Sequence, residues 1–320
     1  MATYLVTGSS GYIGSVLCKR LKELKHTVHA IDLVAPSHKY YDTYVITNYN
    51  DEKQLAVNLK YCDGIFNLAA MSLLNPSLKD PLSYYENNVA SLYAFLRIIN
   101  IYNPNVSFIH ASSAAVYGES TKTCYADGRT DCNPINPYGF TKWHSEQALN
   151  DITNYTGAVP HISFRFFNVV GGYEDVGHNI DRPAILPSLS RAVLNHTDFN
   201  RFGNNIRDYV HVLDVCDGLI RGMESIKPDT AMALNLCSGT LTETSDIVDM
   251  FKEYVQLDFN VNVVENRVGD PEMLKGDNHM TQDYLTGWSP KHSVWKDIIN
   301  SHWEFMKYDR KLFVLGTQRN

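Results

Sequence analysis

Three glycines, Gly8, Gly11 and Gly14, follow directly on the β-rich run TYLVT at residues 3–7. They open at once into SVLCKRLKELK, whose apolar residues recur at helical spacing. A strand that ends in a G-x-x-G-x-x-G turn and passes straight into a helix leaves few architectures open. Missing Cβ atoms let the backbone approach an anion, and the N–H groups at the positive helix end, from Tyr12 and Ile13 to Ser15, attract it. HTVHAID, the next β-rich run, completes a strand–helix–strand unit.

Asp32 closes that second strand, where a carboxylate can accept both hydroxyls of an adenosine ribose. Turn and acid together predict a dinucleotide. The expected cofactor is NAD: Asp32 repels a 2′-phosphate, and no arginine follows it in LVAPSHK, where Lys39 is the cation left to serve NADP.

Further strand candidates at 64–70 (GIFNLAA), 107–113 (SFIHASS) and 161–168 (HISFRFFN) alternate with helical stretches. Two of these are long, from about Pro81 to Tyr102 and from about Pro137 to Tyr155. The alternation predicts an α/β fold: a Rossmann-type doubly wound parallel sheet with a smaller, mixed α/β C-terminal substrate domain. After Asn168 the pattern loosens. Gly171 and Gly172 open a loop-rich region, and RDYVHVLDV (207–215) reads as a strand entering a helix. The expected division assigns 1–168 plus about 208–236 to NAD, and about 169–207 plus 237–320 to a substrate.

Composition bounds the function. Formal net charge is −7 and the basic residues form no run, which leaves no electrostatic footprint for nucleic acid. Six scattered cysteines form no C-x-x-C pair, so thiols are expected rather than disulfides, and no metal. No segment is apolar and long enough to span a bilayer, and MATYLVTGSSGYIG lacks the pattern of a secretory leader. A cytoplasmic location and no membrane partner are expected.

Tyr138 and Lys142 are four residues apart in a helical stretch, which stacks them on one face. That pairing suits acid/base chemistry: an ammonium and a positive nicotinamide ring would both favour phenolate and bring the phenol toward neutral pH. Tyr138 could then take the proton of a sugar hydroxyl as hydride leaves the same carbon. Ser113 ends a strand, so its hydroxyl is expected at the carboxyl edge of the sheet, within reach of the reacting oxygen. A surface helix pair is the plainer reading of the tyrosine and lysine taken alone.

In order along the chain, VTGSSGYIGS, FNLAA, YYENNV, SSAAVYGE, NPYGFTK, RFFNVVG, RDYVHVLDV and NRVGDP resemble the successive motifs of the extended short-chain dehydrogenase/reductases that modify nucleotide sugars. The match is greatest to their UDP-glucose 4-epimerase branch and runs from Thr3 to about Trp303. The resemblance implies Ser113, Tyr138 and Lys142 as catalytic residues, with Lys142 also on the nicotinamide ribose. It implies Asn48, Tyr49, Ala69, Ala70 and Asn88 on the cofactor side. Asn168, Arg207, Arg267 and Asp270 are implied on a UDP-sugar, the arginines at its diphosphate. Asn88 could instead only satisfy backbone groups, and either arginine could be a surface ion pair.

Dehydratases of that superfamily carry an acidic pair where this chain has Ala114 and Ala115, so the resemblance implies epimerisation at C4 through a 4-keto sugar. The branch usually has lysine at Ser72, asparagine at Ala184 and aspartate at Asn48. Leu274 falls where relatives limit space near the sugar's C2 substituent. A uronate epimerase, a decarboxylase or a keto-sugar reductase using the same three residues is the alternative, and a non-catalytic NAD-binding regulator a further one. A homodimer is expected through helices about 81–102 and 137–155, on the strength of Leu92, Phe95, Leu96 and Ile99 beyond what one buried face requires.

Overall fold

The computed structural model describes residues 1–317, with side chains to Tyr308. Seven strands, all parallel, form the central sheet. Their spatial order is Ala231–Leu236, His161–Phe166, Ser107–Ser113, Gly64–Asn67, Thr3–Thr7, Thr27–Asp32, Thr43–Ile46. From Thr3–Thr7 the chain lays two strands on one side, then returns to lay Gly64–Asn67 on the other. The winding reverses there, and the carboxyl ends of those two strands flank the crevice where ligands of such sheets sit.

Strands covered on both faces read as continuous apolar runs. Gly64–Asn67 is buried at every position, and Leu5, Val6, Phe108 and Phe164 expose nothing. Helices Tyr12–Glu23 and Val212–Ser225 cover one face with Val16, Leu17 and Leu219; helices Glu52–Tyr61, Ser91–Tyr102 and Pro137–Thr156 cover the other with Leu55, Phe95 and Leu149. Among the described residues no helix is long and apolar enough to cross a membrane.

Helix Pro137–Thr156 starts and stops where its residues dictate. Proline stands at the first helical position, and the Asn136 side chain accepts from Gly139 N at 2.8 Å. Gly157 ends the helix in the left-handed conformation, at φ 71°.

The smaller part is built around Ile206–His211. This strand pairs antiparallel with Leu241–Glu243 and parallel with Met273–Gly276 and with Asn168–Val170. Met273–Gly276 in turn takes Thr123–Cys124 as a parallel neighbour. Phe199–Phe202 and Val261–Val264 form a further parallel pair. Leu189, Phe251 and Ile298 fill the core here, with Trp295 and Trp303 against it.

Three expectations need correcting. The strand in GIFNLAA stops at Asn67, and residues 68–70 are loop. The helix expected over 81–102 spans those residues, but not as α-helix throughout: a wide π turn, Glu86–Ala90, joins Pro81–Tyr85 to Ser91–Tyr102. Finally, Leu92, Phe95, Leu96 and Ile99 are at most 5% exposed and pack within the chain's own core, so these four offer nothing to a second copy.

Candidate active site

A cleft of about 1640 Å³ lies across the switch point, between the central sheet and the smaller part. Its floor is the glycine turn. A Cβ on Gly14 would meet Gly8 O at 2.1 Å and one on Gly8 would meet Ala69 N at 2.7 Å, both backbone atoms that cannot give way. At Gly11 a Cβ would press on Gly8 O at 3.2 Å, a tighter approach than side chains ordinarily make to backbone. The first bond of helix Tyr12–Glu23 is Ser15 N to Gly11 O, so the N–H groups of Tyr12, Ile13 and Gly14 have no carbonyl within the helix. A turn bare of side chains and orphan donors at a helix start suit a diphosphate.

Asp32 accepts from Ser10 N at 2.9 Å and Leu33 N at 2.7 Å, and still faces the cleft. Asn48 and Tyr49 line the same end, the Tyr49 hydroxyl donating to Asn87 O at 2.7 Å. Ala69 and Ala70 form the wall beside Gly8. These residues fit an adenine dinucleotide.

Asn88 departs from its expected place. It is 4% exposed and stands behind that wall. Its amide accepts from Met71 N and donates to Met71 O and to Thr141 Oγ1 at 3.1 Å. The π turn aims the side chain inward, where it holds the loop carrying Ala69 and Ala70.

Ser113, Tyr138 and Lys142 meet on one side of the cleft. Lys142 Nζ lies 6.0 Å from the Tyr138 ring centroid and donates to Ala111 O at 2.6 Å. Burial presses the Lys142 pKa down to about 8, against the pull of Glu146. Burial also raises the Tyr138 phenol above its ordinary value, while the Ser113 hydroxyl and the Arg182 guanidinium lower it. In the chain by itself desolvation outweighs the charges around the phenol, and the cation that lowers it is Arg182; the expected shift toward neutral pH is one for the NAD-bound protein.

Behind Lys142 stands a buried polar network. Glu146, one helical turn on, accepts from Ser112 Oγ and from Arg165 Nη2, the latter at 2.7 Å. Arg165 also donates to Tyr117, whose hydroxyl donates to Asn235 at 2.7 Å.

On the smaller part's side, Asn168 Nδ2 donates to Asp208 O at 3.1 Å. Arg207 is 6% exposed and bonds to Asp270 at 2.9 Å, to Glu272 O at 2.7 Å and to Pro271 O. Arg267 is freer, its guanidinium stacked 3.8 Å over Phe202. Leu274 is buried beneath.

Arg182, Phe202 and Glu146 were not singled out from the sequence. Glu146 could have been found, because it repeats the four-residue step from Lys142. Arg182 sits in an irregular stretch with no periodicity to mark it.

A doubly wound parallel sheet with a glycine turn at its switch point, and serine, tyrosine and lysine converging beside that turn, defines a dinucleotide-binding protein of Rossmann type. The model of the NAD dependent epimerase/dehydratase family matches residues 4–237. The chain belongs to that family. It is 31% identical to a UDP-glucose 4-epimerase of Rhizobium leguminosarum bv. trifolii, over 95% of this chain and 97% of the relative. To the UDP-glucose 4-epimerase of Lactobacillus helveticus it is 30% identical, over 95% and 96%. The crystal structure of UDP-glucose 4-epimerase from Brucella ovis in complex with NAD superposes with a TM-score of 0.86 at 26% identity, covering 95% of this chain and 98% of that one.

Proposed function

We propose that this chain is an NAD-dependent nucleotide-sugar 4-epimerase, an isomerase acting on a UDP-linked hexose through a transient 4-keto sugar. The observation that carries the reading is the half-buried Tyr138 at the cleft wall, with Ser113 at its oxygen and Lys142 below its ring, beside a turn fit for a dinucleotide. The names of the relatives support it.

In this reading the glycine turn and Asp32 hold the dinucleotide, and Lys142 orients the nicotinamide ribose. When bound, NAD supplies a hydride acceptor that returns the hydride later. Ser113 holds the sugar's 4-oxygen by a hydrogen bond and Tyr138 takes its proton, then gives it back once the keto sugar has turned over. Arg267 neutralises the diphosphate. Arg207 shapes the loop at Asp270 and adds its charge, and Asn168 holds the sugar nucleotide. Ala114 and Ala115 supply no carboxyl group for eliminating water, which favours epimerisation over dehydration.

The division of labour is 1–168 plus about 208–236 for the cofactor and about 169–207 plus 237–320 for the sugar nucleotide, with Ile206–His211 as the seam. A homodimer through helices about 81–102 and 137–155 completes the reading, resting on outward Leu82, Tyr93 and Phe140 in place of the buried Leu92, Phe95, Leu96 and Ile99. Light scattering at working concentration should give twice the chain mass; a monomer removes the dimer. Its place is the cytoplasm, where thiols such as the six free cysteines stay reduced.

The test is incubation with a panel of UDP-sugars and NMR of the products. Interconversion of C4 epimers without net cofactor consumption is expected, and Tyr138→Phe should lower turnover by roughly 10²–10⁴-fold with NAD still bound. Release of carbon dioxide, or stoichiometric use of NAD, would mark one of the alternative reactions.

A further inference from the structure

Lys142 is 3% exposed, and among the described residues its amine has one hydrogen-bond partner, Ala111 O at 2.6 Å. A charge so enclosed is costly, and the group sheds its proton unless an opposite charge answers it. One helical turn on, along the same face, stands Glu146, also 3% exposed. Its carboxylate accepts from Ser112 Oγ, and Ser112 adjoins the Ala111 whose carbonyl accepts from Lys142. Lysine and glutamate thus grip neighbouring residues at the end of strand Ser107–Ser113, directly before the serine that lines the cleft.

Arg165 fixes the carboxylate from the next strand. Its Nη2 donates to Glu146 Oε2 at 2.7 Å and its Nε to Oε1 at 3.0 Å, a bidentate pairing that leaves the glutamate little freedom to turn away. Around that pair stand Tyr117 and Cys132. On the strand beneath the helix, burial holds His110 and, farther along, His161 neutral. Tyr84 meets Tyr138 edge-on at 6.5 Å between ring centroids, and Arg182 acts on that phenol. Lys79 and Glu86, on the segments packed against this helix, turn to solvent. Burial presses Lys142 toward losing its proton, and Glu146 is the one group that pulls the other way.

The form of the amine decides what it can hold. An ammonium donates three hydrogen bonds, so with one on Ala111 O it has two left for ribose hydroxyls. A neutral amine has one donor fewer and no charge.

We propose that Glu146 is a positioning residue for Lys142: anchored by Arg165 and Ser112, its carboxylate keeps the buried amine in the ammonium form that reaches both the strand end and a nicotinamide ribose. This rests on the reading of Lys142 given above. The test follows Lys142 itself, by NMR of NAD-loaded protein isotope-labelled at lysine Cε, its signal being assigned by its absence from Lys142→Arg. Titration midpoints are taken for the unaltered protein, Glu146→Gln, Glu146→Asp, and the pair Glu146→Leu with Arg165→Met, each shown to be folded by urea unfolding.

Glu146→Gln should titrate about one pH unit lower than the unaltered protein, and so should the pair, which strands no charge. Glu146→Asp keeps the carboxylate and should stay near the unaltered protein. The alkaline limb of kcat for sugar interconversion should move with the midpoint, while KM for the sugar changes little. An unmoved midpoint in Glu146→Gln or in the pair overturns the proposal; a shift confined to Glu146→Gln would belong to the stranded Arg165 charge. If the midpoints fall as expected but no UDP-sugar is interconverted, or Tyr138→Phe keeps its turnover, Glu146 retains its role and the epimerase reading fails.

Discussion

Tyr138 carries two effects of opposite sign on one oxygen: burial raises its pKa, and a hydroxyl and a guanidinium lower it. The four-residue step to Lys142 made the pair legible, because helical periodicity alone puts two such residues on one face. Arg182 was not legible, since its place depends on a turn that no period announces. Asp32 was legible through chain position, one strand–helix–strand unit after the turn. Its carboxylate is bonded on this structure to two backbone N–H groups and still borders the cleft, so replacing it should act on the cofactor first. Asp32→Ala is expected to weaken NAD binding about ten- to hundredfold and NADP binding less, measured by fluorescence titration with the reduced forms. Equal affinity for NAD before and after would remove the ribose role.

At the level of elements, helix Pro137–Thr156 joins chemistry to stability. Lys142 faces the cleft side of the sheet and Glu146, a turn later, is committed to Arg165, with side chains 3% and 9% exposed. Removing one partner of a buried ion pair strands the other charge. Glu146→Ala should therefore cost about 3–5 kcal/mol in urea unfolding, whereas Arg165 and Glu146 replaced together by apolar residues should cost much less. A loss below about 1 kcal/mol would mean that Arg165 finds water. The helix at 81–102 shows where pattern reading misleads. Its apolar stripe was visible, but a stripe does not say whether a sheet or a second chain covers it, and the π turn that aims Asn88 inward leaves no periodic trace.

At the level of the whole molecule, the central sheet was legible because each of its strands is a local run between helices. The smaller part was legible as a mixed α/β domain but its strand pairing was not, because Met273–Gly276 takes as its neighbour Thr123–Cys124, far away in the chain, and short strands joined at such range carry no local signal. The interior also fixes the acid response. Burial holds His161 and His178 at about 4, and His211 and His302 at about 3, against an ordinary 6.5. These rings are neutral when folded, so between pH 6.5 and about 3 the unfolded chain binds protons that the native one refuses. Their contribution is fully present above 6.5 and is lost as pH falls through that window. Asp208, raised to about 6, and Asp214, also raised by burial, work with the opposite sign, while His29, His38 and His110, lowered by burial, act with the four. The unfolding free energy measured in urea should drop between about pH 7 and about pH 5, by up to about 2 kcal/mol per histidine, and the midpoint with it. An unchanged midpoint would show that these rings gain protons without unfolding.

Gly8 and Gly14 leave no room between them, and Gly8 lies so near Ala69 that one added carbon could not be fitted. The cofactor's seat is thus an anvil, with no hinge on that side of the crevice. Any adjustment that admits or frees a sugar nucleotide falls to the opposite wall, where residues 178–184 lie outside every strand and helix and the pair Phe199–Phe202 with Val261–Val264 lies outside the central sheet.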